Sequence, residues 1–350
     1  MKRNLLSLVL ICAVTFSASA QFTLRVAGGY AWPGIQNSEN IAGPIIDPLH
    51  PDIDALGPLA NITDTMTTNG KFNPATYKLV KGSYGHGVNF SLGFGYTVNK
   101  YFNFELGVSY LKSATITCDQ TRQLTISTGL NYSYIPAYLM AHITSNAFGI
   151  SVSPAFTVQA PIKKSKFMPY ARLGLSLPIY GGLTDHITIT QNSGIPALVK
   201  APYFLGAKTN VTLTTQGSVS LGINWAVGIK YKVLPFMAVF AELNGQYLTT
   251  HAKSSKITQW DTYTNLSDTA SPTSQIANRG VYRTQFNFVN QLGGNSNNLA
   301  YNSQTDLTKP KDDVMPTGPF SNIGINIGLT FTFGKHEKKE ADKTATPVAK

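Results

Sequence analysis

Charged residues are scarce in this 350-residue sequence, at 13% against roughly 25% in an average soluble domain. Long apolar runs are lacking too. No window outside the first twenty residues approaches the roughly 18 to 20 apolar residues that a membrane helix needs, which excludes a multispan helical protein. Cysteine is nearly absent, with only Cys12 and Cys118, so no disulfide framework is available. The six histidines, His50, His86, His142, His186, His251 and His336, show neither His-Glu-x-x-His spacing nor a close cysteine partner; no metal site and no cofactor is expected. In place of charge there are 30 Gly, 17 Tyr and 18 Phe, with many Asn, Ser and Thr, a composition of short strands and polar loops too rich in aromatics to be disordered.

Met1, Lys2 and Arg3 make a basic start, Leu5 to Phe16 an apolar stretch, and Ala18-Ser19-Ala20 a small-residue cleavage site. This predicts a signal peptide over residues 1–20. A lipoprotein reading through Cys12 is disfavoured by Ile11, where a small residue is expected, and by the apolar stretch continuing beyond it. Removing Lys2 and Arg3 leaves 26 basic against 17 acidic residues.

Beyond the leader the dominant signal is period-two alternation, in which successive side chains of a strand point to opposite faces. Ile323, Ile325, Ile327, Leu329, Phe331 and Phe333 share one face, and Asn322, Gly324, Asn326, Gly328, Thr330 and Thr332 the other. The same pattern predicts strands at Val88 to Tyr96, Phe102 to Tyr110, Val219 to Tyr231 and Met237 to Thr249, with weaker ones at Phe22 to Tyr30, Ile150 to Ala160 and Tyr170 to Ile179. Pro154 and Pro178 belong near strand ends or at bulges.

The connections between these strands alternate short and long. Four to seven residues join strands two to three, four to five and six to seven, whereas the others run to about 55, 35, 35 and 70 residues. That asymmetry, with strands of about ten residues matching an apolar band of roughly 25 Å, predicts an all-β, transmembrane antiparallel up-and-down barrel of eight strands over residues 21–334, with four long extracellular loops. Exposed backbone in lipid must be paired internally, so the sheet has to close. Extended runs inside the loops, Ala114 to Ser127, Ala137 to Ile143, His186 to Thr190 and Thr209 to Thr215, prolong the hairpins above the membrane or, in the alternative reading, supply a barrel of ten or more strands. The charged end, residues 335–350, reads as a disordered periplasmic tail. Both termini are then periplasmic and the location is the outer membrane.

The chain resembles the outer-membrane β-barrel family of Bacteroidota, related in architecture to the barrel of OmpA and to OmpX and OmpW. The resemblance rests on the eight strands, on Phe104-Glu105-Leu106 with Tyr110, Ser153-Pro154-Ala155-Phe156 and Pro169-Tyr170 with Gly174, and on the ending Asn326-Ile327-Gly328-Leu329-Thr330-Phe331-Thr332-Phe333. That ending is similar to the signal read by the barrel-assembly machinery, through Asn326, Gly328, Phe331 and Phe333. The loops are longer than in the simplest members, and the tail is too short for the peptidoglycan-binding domain of OmpA-like proteins.

Chemistry-bearing residues are few. Arg25, Glu105, Arg172, Lys230 and Glu242 fall on inward positions near one level of the barrel, which predicts an interior charge network, with an ion gate as the functional alternative. Asp185-His186 and His251 are the only residues suggestive of a hydrolytic site at a rim, and an adjacent Asp and His are far more often solvated; no catalytic residues are expected. The sequence pI near 9.4 does not imply nucleic acid, because the lysines are scattered without aromatic interleaving. Lys78, Lys81, Lys112, Lys253 and Lys256 lie near the outer strand ends and are candidates for lipopolysaccharide phosphate contacts alongside outer-membrane lipid. Asp64-Thr65-Met66 and Asp268-Thr269-Ala270 are similar to a short glycosylation acceptor motif. The expected function is a surface barrel whose loops, chiefly Ala31 to Gly85 and Thr250 to Phe320, serve structural roles or bind a surface protein or glycan; the alternative is a porin-like channel or small-solute transporter, if the strands number ten or more.

Overall fold

The computed structural model describes residues 21–34, 42–46, 53–58, 60–66, 72–127, 134–193, 208–263, 273–274 and 276–334. Eight of its strands close a barrel: β1 (Gln21–Pro33), β2 (Gly87–Thr97), β3 (Phe102–Ser113), β4 (Tyr134–Gln159), β5 (Phe167–Ser193), β6 (Gly222–Leu234), β7 (Met237–Tyr247) and β8 (Asn322–Phe333). Each pairs antiparallel with its neighbour, and β8 returns to β1 with Phe22 opposite Phe333 and Trp32 opposite Ile323. Closure satisfies the backbone without leaving an edge.

The alternation seen in the sequence becomes two faces of one wall. Val88, Phe90, Leu92 and Phe94 on β2, Leu106 and Val108 on β3, and Ile325 and Ile327 on β8 are exposed outward, whereas Asn322, Asn326 and Thr330 are buried inward. Aromatic rings gather at both ends of the apolar band. Phe22 with Tyr96, Phe104 with Phe156 and Phe167 with Tyr231 lie toward the short connections; Tyr30 with Trp32 and Phe148 with Tyr180 lie toward the long ones. From Phe22 to Trp32, ten residues at about 3.3 Å and a tilt of 35–45° give a height of about 23–27 Å, the thickness of an outer-membrane apolar band.

Beyond the band the long connections are folded. β4 and β5 continue upward as one hairpin paired from Tyr180 opposite Ile150 to Ser193 opposite Ala137. Flanking them are the strands Ile116–Ser127, Lys208–Gly217 and Thr249–Tyr263, which extend the sheet, and Gln285–Val289, which pairs with Thr249–Tyr263 and follows the short helix α1 (Ile276–Thr284). This cap has its own core of Ile143, Ile187, Ile189, Val211, Leu213, Ile257 and Trp260. The expected hairpin extensions therefore build a second packed body rather than extra barrel strands.

Several strand limits differ from the sequence expectation, most of all β4, which starts at Tyr134 rather than Ile150, and β5, which runs on to Ser193 rather than Ile179. β6 starts at Gly222, not Val219, because Ser218 to Leu221 lie outside the strand ladder. β7 ends at Tyr247, where Leu248 turns inward and the chain enters the cap strand. Pro154 stands in mid-strand, and the β4–β5 ladder tolerates it by lapsing between Ala155 opposite Gly174 and Val152 opposite Leu177. Pro178 does fall at a bulge: Leu177 and Pro178 face Val152 and Ser151, then Tyr180 faces Ile150, leaving Ile179 as the extra residue.

Candidate functional site

At the lower lumen, inward positions on four alternate strands meet at one level. Arg25 of β1 pairs with Glu105 of β3 at 3.3 Å and also with Glu242 of β7. Arg172 of β5 reaches the same two carboxylates at 3.0 and 3.1 Å. Two further donors complete Glu242: the Tyr170 hydroxyl at 2.7 Å and the Asn326 amide at 3.2 Å. Gly93, opposite Arg25 on the neighbouring strand, leaves the space this requires, since a Cβ there would stand 2.6 Å from a Glu105 oxygen. Lys230 shares the inward face but donates to Gln159 at 3.3 Å and lies 4.9 Å from the Tyr170 ring centre. The charged layer crosses the lumen from four sides. Above it lies a polar cavity of ≈ 100 Å³, lined by Asn89, Ser91, Ser109, Ser151, Asn244 and Asn322 among others.

In the cap, Asp185 points into the apolar core and is fully buried. The Ser145 hydroxyl donates to its Oδ1 at 2.5 Å, while Oδ2 has no hydrogen-bond partner. Burial pushes this carboxyl up to about 7, against the lowering by Ser145. Burial, with the nearby Asp185 charge, likewise holds the Tyr84 hydroxyl well above its ordinary value. His186 projects from the opposite face of the strand, exposed, with Nδ1 3.2 Å from the Thr212 hydroxyl. Adjacent in sequence, Asp185 and His186 are thus separated by the pleat and share no site. Cys118 is buried, its thiol donating to the Ala60 carbonyl at 3.0 Å and pushed up to about 11, mainly by burial.

The sequence model of one protein family, described as outer membrane protein beta-barrel domain, matches residues 5–272. The chain belongs to that family. β8, which closes the barrel, lies beyond the matched span. No curated protein matches the chain.

The remaining candidates of this outer-membrane barrel are dispersed. Lys78, Lys81, Lys112, Lys253 and Lys256 are all exposed at the long-connection end. His86 meets the Tyr30 hydroxyl at 2.9 Å, and His142 meets Asp119 at 2.7 Å on the cap surface. Among the described residues no cluster of three His, Cys, Asp or Glu could hold a metal ion. Asp64 to Met66 belong to the strand Ala60–Met66. The signal peptide, the tail, His50, His336 and Asp268 to Ala270 lie outside the described residues.

Sequence reasoning missed one feature of the last long connection. Asn297 organises residues 293–312: its amide donates to the carbonyls of Asp306 and Pro310 at 3.0 and 2.8 Å, its side-chain oxygen accepts the Asp306 N–H at 2.8 Å, and its own N–H bonds Asp312 at 2.7 Å. Hydrogen bonds from Thr308 hold the Asp306 carboxyl down to about 2. Leu299 and Leu307 both bond through their backbone to Tyr282 of α1, yet their side chains, with that of Tyr301, are more than half exposed. An Asn among Gly, Ser and further Asn is the available signal, and it reads equally as an ordinary turn.

Proposed function

We propose that this outer-membrane barrel is a non-catalytic surface protein whose folded cap presents the 293–312 loop to a partner, a protein or a glycan of the cell exterior. The observation that carries the reading is the exposed apolar trio Leu299, Tyr301 and Leu307 on a loop already held in shape by Asn297. A preorganised loop has little ordering entropy left to lose on binding, and an exposed Tyr is among the side chains that most often anchor an interface. With the short connections facing the periplasm, as in other such barrels, both termini are periplasmic and the cap faces outward. The five exposed lysines then stand where lipopolysaccharide phosphates are available. A porin-like role requires ten or more strands; the barrel has eight and a charged layer across its lumen.

The test replaces Leu299, Tyr301 and Leu307 with Ser in the full-length protein. Surface display and heat-modifiable migration should be retained, while cross-linking to its partner on intact cells falls by about tenfold or more, the factor that 1.4 kcal/mol of lost contact gives. Unchanged cross-linking would refute the loop as the contact surface. We also assign the terminal strand to the assembly machinery: with Phe331→Ala and Phe333→Ala together, the chain should be exported and processed but accumulate unfolded. Normal barrel yield in that variant ends the assignment.

A further inference from the structure

The barrel wall is interrupted between β5 and β6. The ladder stops at Ser176 opposite Gly222 and resumes only at Gly182 opposite Gln216, in the same register, so residues 177–181 and 217–221 face each other unpaired. A cavity of ≈ 130 Å³ occupies this break. Its outer rim is Phe148, Ile179, Tyr180 and Val219; its inner wall is Tyr84, Ala147, Leu248 and Phe320. Because Ala147 and Phe148 occupy opposite faces of β4, the cavity passes through the wall rather than indenting it. The mouth is apolar and uncovered, with Ile179 57%, Tyr180 63% and Val219 73% exposed. It also continues the outward apolar band through Leu175 and Ile223. Ser220, within the unpaired segment, has a buried hydroxyl with no hydrogen-bond partner.

We infer that this opening is a lateral binding site for the end of a membrane-lipid acyl chain, which enters from the bilayer and seats against Leu248 and Phe320 inside the barrel mouth. The level of the Phe148–Tyr180 pair, in the upper aromatic ring, sets the break at the membrane interface. A wall opening in hydrocarbon cannot be filled by water at low cost when its lining is apolar, and cavities of about 150 Å³ lined by aliphatic and aromatic side chains stay dry and take up apolar molecules. The mouth opens to lipid, which makes the lipid chain, rather than a dissolved solute, the occupant. The bulge at Ile179 lies beside this lapse: it adds one residue against β4 and turns Ile179 and Tyr180 outward together. The site is independent of the loop trio, and its failure would leave that reading untouched.

The experiment uses the full-length protein in vesicles of phosphatidylethanolamine carrying a diazirine at the end of one acyl chain, with adducts mapped after illumination. Adducts are expected on the inward residues Tyr84, Leu248 or Phe320 as well as on the outward Leu92 and Leu106. Gly217→Leu should remove the inward adducts by about tenfold or more, since filling the cavity displaces at least two methylenes at about 0.8 kcal/mol each. A Cβ at Gly217 meets only carbonyl oxygens at 3.7 and 3.9 Å, so Gly217→Ala should fold and keep most of the inward labelling, and outward labelling reports folding in both variants. Adducts confined to the outward face in the unmutated protein, or inward adducts indifferent to Gly217→Leu, overturn the inference. So does inward labelling by a diazirine-bearing butanol in the water phase that the lipid fails to compete.

Discussion

Asp185 shows at the scale of one residue how much the surroundings decide. Its carboxyl is fully buried on a strand flanked by Ser145 and Leu213, with one hydrogen-bond donor, and is raised from 3.8 to about 7. Below pH 4 the closed and open cap both hold the proton, so Asp185's favourable contribution is complete. Between about 4 and 7 the open cap releases the proton while the closed cap keeps it, so stability declines with rising pH. Above 7 the loss is complete, at about 4 kcal/mol from roughly three pKa steps of 1.36 kcal/mol. Amide exchange over the cap strands, corrected for intrinsic rates, should therefore report opening that becomes easier from pH 4 to 7, and Asp185→Asn should flatten that slope. A slope unchanged in the variant would exclude Asp185 as its source. None of this is legible in the sequence, which shows only an acid beside a histidine. Arg25, Glu105, Arg172 and Glu242 were legible as inward residues because each sits in an uninterrupted alternation; the Gln159 partner of Lys230 was not, since strand ends carry no such pattern.

At the scale of the element, β5 shows where alternation stops being readable. Up to Pro178 its even-numbered residues face inward, including Tyr170, Arg172 and Ser176; beyond the bulge the odd-numbered ones do, including Asp185, Ile187 and Ile189. A reader counting by twos loses phase at Ile179, which is where the sequence expectation ended the strand. The eighth strand, with unbroken phase from Asn322 to Phe333, was predicted at its observed limits. Deleting Ile179 removes the extra residue, and a one-residue slip exchanges the faces of everything beyond it. Isoleucines of the cap core would then point to solvent while the barrel below kept its register. The deletion should retain heat-modifiable migration yet make the cap sensitive to external protease; a cap as resistant as the unmodified one would show that the bulge does not set its phase.

At the scale of the whole molecule, strand number and lumen chemistry together decide what can pass. The alternation of short and long connections predicted eight strands, but the length of the long ones could not reveal that they fold around a core of their own, because that core is assembled from segments over 100 residues apart in sequence. Eight strands leave an interior just wide enough for side chains to fill, and here the filling is the layer of Arg25, Glu105, Arg172 and Glu242. Removing one member leaves an uncompensated buried charge at a cost of about 3–5 kcal/mol, which confuses destabilisation with opening. Replacing all four by Ser removes two positive and two negative charges at once and keeps the layer neutral. In planar bilayers the unmodified protein should give no steady single-channel steps, whereas the fourfold variant should give small, steady steps, because Ser leaves a wet passage from the polar cavity above to the short-turn end. Steady conductance in the unmodified protein would mean that the charged layer does not seal the lumen, and a silent fourfold variant would place the seal elsewhere, in the backbone or the cap.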